Sequence, residues 1–440
     1  MKKFLSLVSL LITAALLLTG CGGKNTGDNN SYAPSVSVVE PSSSVQTPSE
    51  SRATVPANDN IVASDALGTA VYTSPSTSVS TVQPQKDEKE FRGMWIAIYE
   101  LSPKNTSISE EEYKAKIDKM MENLMTLGIT DVFAQVRANC DSIYPSKYFK
   151  NYYAFERNGK LIFDALKVIV SSAHGHGIKL HAWINPYRIS SKDSVSDSDP
   201  IFRSVKKSDV YISGKRAHLK PVSENAKRLV LNGVREILAY DVDGIHIDDY
   251  FYPTTDEKID KAEYKSYKSS GGSLSLSDWR RANVSSLVSS LYSLVKSSGG
   301  NRIFSISPGG DIDKNQNYLY ADVKLWCSTP GYADMIIPQI YFGFENERQP
   351  FKRCLDGWEK IRTCDGVKLA VGLAPYKANC HDEYAGSGEN EWKQNSDIIK
   401  REVEYIRTKK CVGFALFSYH HVFVDNNLIN TEMQNLKSVL

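Results

Sequence analysis

The sequence lacks an excess of charge of either sign. Its 53 lysine and arginine residues are balanced by 51 aspartate and glutamate residues, which gives a formal net charge of +2 at pH 7. Proteins that bind nucleic acids or anionic membrane surfaces usually carry a basic patch or stripe. The balanced charge therefore argues against nucleic acid as a partner and against a membrane patch held by charge.

Cysteine is scarce, with seven residues in 440. Cys21 stands apart near the N-terminus, and the spacings of the other six match no zinc pattern: Cys140, Cys327, Cys354, Cys364, Cys380 and Cys411. No cluster of potential ligands has convincing spacing, so we expect no metal and no other cofactor. Disulfide pairing cannot be read from the sequence, and we expect most of the six to be small core residues.

The sequence also lacks an apolar run of the length that a transmembrane helix needs, which is roughly 20 residues. The apolar stretch at residues 4–18 has the form of a signal peptide. It ends in Leu18-Thr19-Gly20-Cys21, which resembles the lipobox cut by the lipoprotein signal peptidase. We therefore expect a lipid on Cys21 and an extracytoplasmic protein anchored to the cell membrane. The alternative is an ordinary secretory signal with a chance cysteine.

From Cys21 to about residue 88 the sequence has neither helical nor strand periodicity. Serine, threonine, proline, valine, asparagine and aspartate dominate this stretch. Such a composition cannot bury enough apolar surface to offset the cost of ordering the chain. We divide the chain into a signal peptide at residues 1–20, a disordered tether at residues 21–88 and one folded domain at residues 89–440.

Within the folded domain, apolar runs of strand length alternate with helical patterns eight times. The predicted strands lie at residues 93–99, 131–137, 179–185, 244–250, 303–307, 335–341, 368–373 and 413–419. The predicted helices lie at residues 111–127, 163–176, 224–240, 278–297, 321–327 (irregular), 352–362, 391–409 and 431–439. This alternation implies parallel strands with right-handed crossovers, and eight units close a (β/α)8 TIM barrel of the α/β class.

Local signals support several boundaries. Ser109 and Glu112 fit a capping box at a helix start. Gly128 and Gly177 stand where a helix must end before the next strand. The long insertion at residues 190–221 follows the third strand, so we expect it to overhang the catalytic face, where a role as a lid stays open.

In a (β/α)8 barrel the chemistry lies where the strands end. The fourth strand is the most informative there. Because side chains alternate along a strand, Ile245 and Ile247 should face the helices, while His246, Asp248 and Tyr250 should face the barrel interior. A carboxylate aimed into an aromatic-lined cleft is costly unless it has partners or a function.

Each of the two aspartates at this strand end has an alternative role. Asp248 is either catalytic or a buried hydrogen-bond acceptor that holds Arg137 or His246. Asp249 is either catalytic or a cap for the following loop.

Aromatic residues gather at or beside the predicted strand ends: Trp95, Trp183, Tyr187, Tyr250, Phe251, Tyr252, Tyr341, Phe342, Tyr376 and Tyr419. Sugar rings present apolar C–H faces that stack on aromatic rings, and polar side chains bind the sugar hydroxyls. Together with carboxylates on the same rim, these residues predict a carbohydrate ligand.

Three separated motifs carry a family resemblance: Phe91-Arg92-Gly93-Met94-Trp95, the run from Asp243 to Pro253, and Pro338-Gln339-Ile340-Tyr341. They resemble the glycosyl-hydrolase-like family 10 proteins, which are (β/α)8 barrels of the bacterial envelope, and the similarity covers nearly all of residues 90–419. The resemblance implies a glycoside hydrolase. Some members are implicated in cleaving peptidoglycan glycan strands, particularly strands stripped of stem peptides.

The fourth-strand run is also loosely similar to the Asp-x-Asp-x-Glu run of family 18 chitinases. Here His246 and Tyr250 stand in place of the first Asp and the Glu. The chitinase mechanism needs that glutamic acid, so we do not carry it over.

Glycoside hydrolysis usually needs two carboxyl groups that flank the scissile bond. Asp248 is the first candidate. Its partner is predicted to be Glu345, across the mouth from the fourth strand, with Asp311 second and Asp249 third; the alternative for Glu345 is a solvated loop charge. The residues predicted to bind the substrate are Trp95, Gln135, Arg137, Trp183, Asn185, Arg188, His246, Tyr250, Gln339, Tyr341, Tyr376 and Tyr419.

Two other function classes stay open. One is a solute-binding lipoprotein that serves a transporter, although such proteins usually have two lobes around a hinge. The other is a barrel that binds wall glycan without cutting it, since fold alone does not establish activity. We predict a monomeric, membrane-anchored, extracytoplasmic glycoside hydrolase that cleaves a cell-envelope polysaccharide, with peptidoglycan glycan strands as the expected substrate.

Overall fold

The computed structural model describes residues 89–423 and 427–440. The predicted signal peptide, Cys21 and the predicted tether lie outside these residues. Eight parallel strands close a barrel: β1 (Phe91–Ile96), β2 (Asp131–Arg137), β3 (Lys179–Ile184), β4 (Gly244–Ile247), β5 (Ile303–Ile306), β6 (Met335–Ile336), β7 (Lys368–Leu373) and β8 (Gly413–Phe417). Strand β1 pairs with β8, with Phe91 opposite Gly413, which closes the sheet. The predicted TIM barrel is confirmed.

Helices cover the outside of the barrel and fill the connections: α1 (Ile98–Leu101), α2 (Glu110–Met125), α3 (Ala165–Gly175), α4 (Glu224–Ile237), α5 (Lys261–Ser269), α6 (Leu276–Ser297), α7 (Ile312–Asn317), α8 (Val323–Ser328), α9 (Phe351–Ile361), α10 (Glu391–Gln394), α11 (Ile398–Ile406), α12 (Tyr419–Val422) and α13 (Asn427–Lys437). Short 3₁₀ turns lie at Tyr153–Phe155, Pro200–Arg203, Lys207–Asp209, Glu257–Ile259, Pro375–Lys377 and Gly386–Gly388. Of the helices in the described ranges, none has both the length and the apolar character needed to cross a membrane.

The loops that follow β2 and β3 contain small sheets of their own. The predicted insertion at residues 190–221 is built around a three-stranded antiparallel sheet, in the order Arg188–Ser190, Arg216–Leu219 and Val210–Ser213. Two strand pairs follow β2: Asp141–Ser142 with Lys150–Asn151, and Glu156–Arg157 with Lys160–Leu161. Lys150 Nζ lies 2.9 Å from Asp199 Oδ2, so the insertion is joined to the loop after β2.

The predicted helix boundaries have the expected local causes. Ser109 Oγ accepts a hydrogen bond from the Glu112 amide at 3.1 Å, and Glu112 Oε2 accepts one from the Ser109 amide at 2.9 Å, so the capping box forms. Gly128 and Gly177 have φ angles of 62° and 71°, a left-handed conformation that suits glycine and that ends α2 and α3.

One predicted helix is wrong as a single element. Residues 391–409 form two helices, α10 and α11, with a break between them. At the break the Asn395 side chain donates to the carbonyl of Glu391 at 2.9 Å, and this bond competes with continued helix formation.

Six strands are shorter at their C-terminal ends than predicted, and the difference is two residues or more for the strands that end at Ile96, Ile247, Ile336 and Phe417. Helix α1 begins two residues after β1, and α12 begins two residues after β8. Beyond β6, Gln339 forms only isolated bridges with Gly309 and Gly372. Because these terminal residues leave the ladder, strict alternation does not govern where their side chains point.

The barrel interior holds aromatic rings packed around a buried histidine. Trp95, Phe133, Trp183 and Phe417 belong to one buried cluster. The ring of His246 is fully buried, and its centroid lies 4.3 Å from that of Phe133. Ile245 and Ile247 pack instead into the core between the strands and the helices. The predicted alternation along β4 is therefore confirmed within the strand.

Hydrogen bonds fix the state of His246. Trp95 Nε1 donates to His246 Nε2 at 3.0 Å, which makes Nε2 the acceptor. In a neutral ring the proton then lies on Nδ1, which donates to Ser305 Oγ at 2.8 Å. Burial lowers the pKa of His246 well below its usual range, so the ring stays neutral.

The six cysteines of the barrel domain are free thiols in the described chain. Three are buried and three are half-buried. The expectation that most are core residues is met for Cys140, Cys327 and Cys354.

A buried ion pair anchors the segment after β4. Arg280 of α6 donates to both carboxylate oxygens of Asp260, at 2.6 and 2.8 Å, and both side chains are fully buried. Tyr252 donates to the same carboxylate at 2.9 Å, and Arg280 also donates to the Tyr320 hydroxyl at 2.9 Å. The segment that leaves the barrel mouth is thereby joined to the helix layer.

We predict that Asp260→Asn lowers the free energy of unfolding by about 3 kcal/mol, because it leaves the Arg280 guanidinium buried without its counter-charge. Urea unfolding followed by circular dichroism measures the change. The matched control is Glu257→Gln, an exposed carboxylate in the same segment, which should change stability by less than about 0.5 kcal/mol. Equal stability of the two variants would contradict the anchoring role.

Candidate active site

Two consecutive carboxylates, Asp248 and Asp249, follow β4 at the C-terminal mouth of the barrel. Asp248 is 3% exposed and Asp249 is half-buried. Burial raises the pKa of both carboxyl groups, and the charge of Asp249 raises the pKa of Asp248 further, to about 7. The pair therefore retains one shared proton up to nearly neutral pH.

Neighbouring donors hold Asp248 in one orientation. Its Oδ2 accepts a hydrogen bond from Trp183 Nε1 at 3.0 Å and another from the side-chain amide of Asn185. Its Oδ1 has only a long contact, 3.4 Å, with the backbone amide of Tyr250. One carboxylate oxygen is thus engaged, while the other has acceptor capacity left.

Two further hydrogen bonds hold the Asn185 side chain in place. Asn185 Oδ1 accepts from Gln135 Nε2 at 2.7 Å, and Gln135 Oε1 accepts from the backbone amide of Ile98 at 3.0 Å. Gln135 and Asn185 were predicted to bind the sugar directly. In the structure the Gln135 amide donates to Asn185, and the Asn185 amide donates to Asp248. We therefore assign both residues the role of positioning that carboxylate.

Two cations flank the carboxylate pair. The Arg188 guanidinium lies 4.4 Å from the centroid of the Tyr250 ring, and its Nε donates to Asn139 at 3.3 Å. Against the larger effect of burial, the charge of Arg188 lowers the pKa of Asp248 and that of Lys314 lowers the pKa of Asp249. Lys314 was not predicted, because it lies on α7, a short helix with too little periodicity to detect.

Aromatic and amide side chains from β6, β7 and β8 form the other side of the mouth. The ring of Tyr341 lies 5.8 Å from that of Tyr376 and 6.0 Å from that of Phe417. A hydrogen bond from the Gln339 side chain lowers the pKa of Asp249, and Gln339 Nε2 also donates to the carbonyl of Ser307 at 2.9 Å. Phe417 and Ser307 were not among the predicted site residues, although Ser307 ends the predicted fifth strand and Phe417 lies two residues before the end of the predicted eighth.

The other predicted carboxylates lie elsewhere. Asp311 caps α7 by accepting from the Lys314 amide at 3.0 Å, and it accepts from Gln349 Nε2 at 2.8 Å. Glu345 is exposed on the loop after β6, where its backbone amide donates to Glu391. In the described chain no hydrogen bond links either residue to Asp248. Asp249, the third-ranked partner, is the carboxylate beside it.

The structure places Arg137 away from the barrel mouth, where it was predicted to bind the sugar. Gln135 lies opposite Trp183, but Arg137 lies opposite Ile184, so β2 holds one extra residue at this point. A bulge of this kind reverses the alternation of side chains. Arg137 accordingly points into the helix layer, where it stacks 4.5 Å from the Phe149 ring.

The geometry also disfavours sugar contacts by Trp95, His246 and Tyr419, whose substrate-binding roles stay predictions. Trp95 is 1% exposed, and both ring nitrogens of His246 are bonded inside the barrel, so neither side chain has a polar group left for a sugar. Tyr419 begins α12 and accepts from the Asn123 side chain of α2 at 2.8 Å, outside the barrel. The suggested contacts of Asp248 with Arg137 or His246 are also wrong, since its partners are Trp183 and Asn185.

Sequence comparison identifies relatives along most of the barrel. The profile of the glycosyl hydrolase-like 10 family matches residues 90–387. The chain is 27% identical over 358 residues to glycosyl hydrolase YngK of Bacillus subtilis, which covers 75% of this chain and 69% of that protein. It is 28% identical over 379 residues to glycosyl hydrolase DigH of Escherichia coli K12, which covers 76% of this chain and 84% of that protein.

Solved structures with a similar fold include two sugar-active barrels. The glycoside hydrolase domain of PgaB (BpsB) from Bordetella bronchiseptica matches with a TM-score of 0.51 and 9% identity, over 78% of this chain and 98% of that one. The catalytic domain of a β-amylase from Paenibacillus polymyxa matches with a TM-score of 0.52 and 11% identity, over 79% of this chain and 98% of that one. At such low identity these similarities show the fold alone.

We predict that Asp248→Asn weakens the dependence of stability on pH. The pKa of Asp248 is raised to about 7 in the folded protein, so its contribution to stability is greatest in acid and declines as pH rises toward that value. Between about pH 5 and about pH 8 this group should account for a loss of roughly 2–3 kcal/mol in the wild-type chain.

Urea unfolding of both chains at the two pH values measures the effect. The control is Asp365→Asn, an exposed carboxylate that precedes β7 at the opposite end of the barrel. Parallel pH profiles for Asp248→Asn and the wild type would show that the carboxylate is not held in the described environment.

Proposed function

The chain belongs to the glycosyl hydrolase-like 10 family, and from this premise we propose that it hydrolyses glycosidic bonds of a cell-envelope polysaccharide. The observation that carries the proposal is the carboxylate pair Asp248 and Asp249, which retains a proton near neutral pH at the barrel mouth. Glycoside hydrolysis requires a carboxylic acid that is still protonated at working pH, because the leaving oxygen must gain a proton as its bond breaks.

The surroundings of the pair suit a sugar. Tyr341 and Tyr376 are half-buried, so part of each ring is available for stacking on one side of the mouth. Arg188 and Gln339 stand beside the carboxylates and can donate to hydroxyl groups. The mouth thus combines aromatic surface, hydrogen-bond donors and an acid in one place.

The named relatives support the choice of reaction, since both are called glycosyl hydrolases. The N-terminal sequence supports the choice of substrate: a lipid on Cys21 and the stretch to residue 88 would hold the barrel near the membrane while letting it reach polymer above it. We propose peptidoglycan glycan strands as the substrate and a monomer as the working form. In the described residues the strands form one closed barrel and not two lobes around a hinge, which argues against a transporter's solute-binding protein.

We predict that the full chain releases new reducing ends from purified wall glycan, and that Asp248→Asn lowers this activity by about 10³-fold or more, because general acid catalysis and the charge at the reacting centre both depend on the pair. Digests of strands with and without stem peptides test the substrate. The Asp365→Asn variant should keep wild-type activity. Binding of glycan without new reducing ends in the wild type would identify a binding protein instead of a hydrolase.

We predict that Cys21→Ala abolishes lipid attachment and moves the protein from the membrane fraction to the soluble extracytoplasmic fraction. The sulfur of Cys21 is the expected attachment point of the lipid, and stable anchoring requires acyl chains buried in the membrane. Metabolic labelling with palmitate and fractionation of the producing bacterium measure both effects. Labelling of the Cys21→Ala chain at the wild-type level would refute the anchor.

A further inference from the structure

We propose that Arg188 binds a carboxylate group of the substrate glycan, on the side of the barrel mouth formed by the insertion after β3. The inference rests on the proposed glycosidase function and narrows its substrate to glycans that carry an acidic substituent on a sugar close to the bond that is cut. Arg216, on the same small sheet, adds a second positive charge to this side of the mouth.

Positive charge is concentrated in the insertion. Residues 188–220, which span its small sheet, contain eight lysine and arginine residues, four aspartates and no glutamate, an excess of four positive charges. The whole chain has a formal net charge of only +2, so the remainder of the chain carries an excess of negative charge. A positively charged wall beside a cleft attracts anionic ligands, and the attraction is strongest within a Debye length of the wall.

The pairing of the small sheet brings its cations together. Arg188 lies opposite His218 in the antiparallel pair, and directly opposed side chains lie on the same face of a sheet. Arg216 precedes His218 by two residues on one strand, so its side chain lies on that face too. Burial, together with the charges of Arg188 and Arg216, lowers the pKa of His218 to about 4. The histidine is therefore neutral near pH 7, and the two arginines carry the charge of this face.

Arg188 lies beside the carboxylate pair. Its guanidinium is 4.4 Å from the centroid of the Tyr250 ring, and Tyr250 directly follows Asp249. Burial raises the pKa of Asp248 and Asp249, and the charge of Arg188 lowers both against that larger effect. A ligand group bound by this guanidinium would therefore belong to the sugar at the pair or to its neighbour.

The guanidinium has donors left for a ligand. Its Nε donates to Asn139 Oδ1 at 3.3 Å, and a hydrogen bond to Tyr250 lowers the pKa of that phenol against the larger effect of burial. A guanidinium has five N–H donors, so these two bonds leave several unused. Its planar fork can hold a carboxylate through two parallel hydrogen bonds, which is the geometry that favours arginine at carboxylate sites.

Other cations of this region have carboxylate partners. Three ion pairs hold lysines at the insertion: Lys150 with Asp199, Lys207 with Asp197, and Lys220 with Glu263. Arg188 belongs to none of these pairs. Because Asp248 and Asp249 retain one shared proton up to nearly neutral pH, they present one negative charge to the arginines and not two. A carboxylate on the ligand would balance more of the positive charge.

The test compares two preparations of one glycan with the full-length chain: wall strands free of stem peptides, whose lactyl carboxylates are free, and the same strands after conversion of those carboxylates to methylamides. We expect kcat/KM to be at least about 10-fold lower on the methylamide strands, because a neutral amide cannot replace a charge-assisted pair of hydrogen bonds. Equal values on both preparations would overturn the inference and leave the hydrolase function standing. Failure to cut either preparation would overturn both.

Variants assign the effect to the guanidinium. Arg188→Gln should lower kcat/KM on the free-acid strands by about 10-fold or more and have a smaller effect on the methylamide strands, so the preference for the free acid falls. Arg188→Lys keeps the charge but loses the planar fork, so its preference should be intermediate, and it replaces Arg188→Gln if that variant does not fold. If Arg188 only adjusted the charge of the carboxylate pair, both rates would fall by the same factor, and the inference would be wrong.

The matched control is Lys207→Gln, which removes one positive charge from the same insertion. Its exposed side chain pairs with Asp197 at 2.7 Å. The variant should change the preference for free-acid strands by less than about twofold, because exposed charges are screened by solvent and salt. An equal loss of preference in Lys207→Gln and Arg188→Gln would show that the overall charge of the insertion, and not a carboxylate site at Arg188, sets the preference.

Discussion

Burial of the Asp248 carboxylate determines how the side chains around the barrel mouth are arranged. It is 3% exposed, and a buried carboxylate loses several kcal/mol of hydration unless donors replace the water. Trp183 and Asn185 supply those donors at Oδ2, and Gln135 and the Ile98 amide hold Asn185 in turn. The chain of hydrogen bonds crosses from β4 through β3 and β2 to α1. The cost of burying one charge is thus offset by fixing several neighbouring side chains, and Oδ1 of Asp248 keeps only a 3.4 Å contact with the Tyr250 amide.

Packing in the barrel interior restricts the side chains that donate to Asp248. The neutral ring of His246 is bonded to Trp95 and Ser305, and its centroid lies 4.3 Å from that of Phe133. Close packing of rings leaves Trp183, on the adjacent strand, little freedom, so its indole N–H stays directed at Asp248. His246 is therefore bonded and packed inside the barrel, and it bears on the candidate site through that packing. The sequence suggested His246 as a substrate-binding residue, but in the structure its ring is buried in the barrel interior.

Family membership and geometry bear on function in different ways. The glycosyl hydrolase-like 10 profile matches residues 90–387, a range that includes the carboxylate pair and the side chains that donate to it. Membership indicates a glycoside-hydrolase-like barrel. The geometry adds two buried or half-buried aspartates with raised pKa values directly after β4.

Periodicity and strand alternation are local properties of the chain, so the eight-unit barrel and the inward direction of His246 could be predicted from the sequence, and so could the place of the candidate carboxylates after β4. Beyond the last paired residue of each strand, the direction of a side chain depends on contacts with other segments. The extra residue in β2 turned Arg137 into the helix layer, α12 carried Tyr419 to the outside, and α7 brought Lys314 to Asp249. The sequence likewise could not show which of Glu345, Asp311 and Asp249 lies close to Asp248 in space. The answer depends on how loops from different strands meet over the mouth, and their distances are set by packing between segments far apart in the chain.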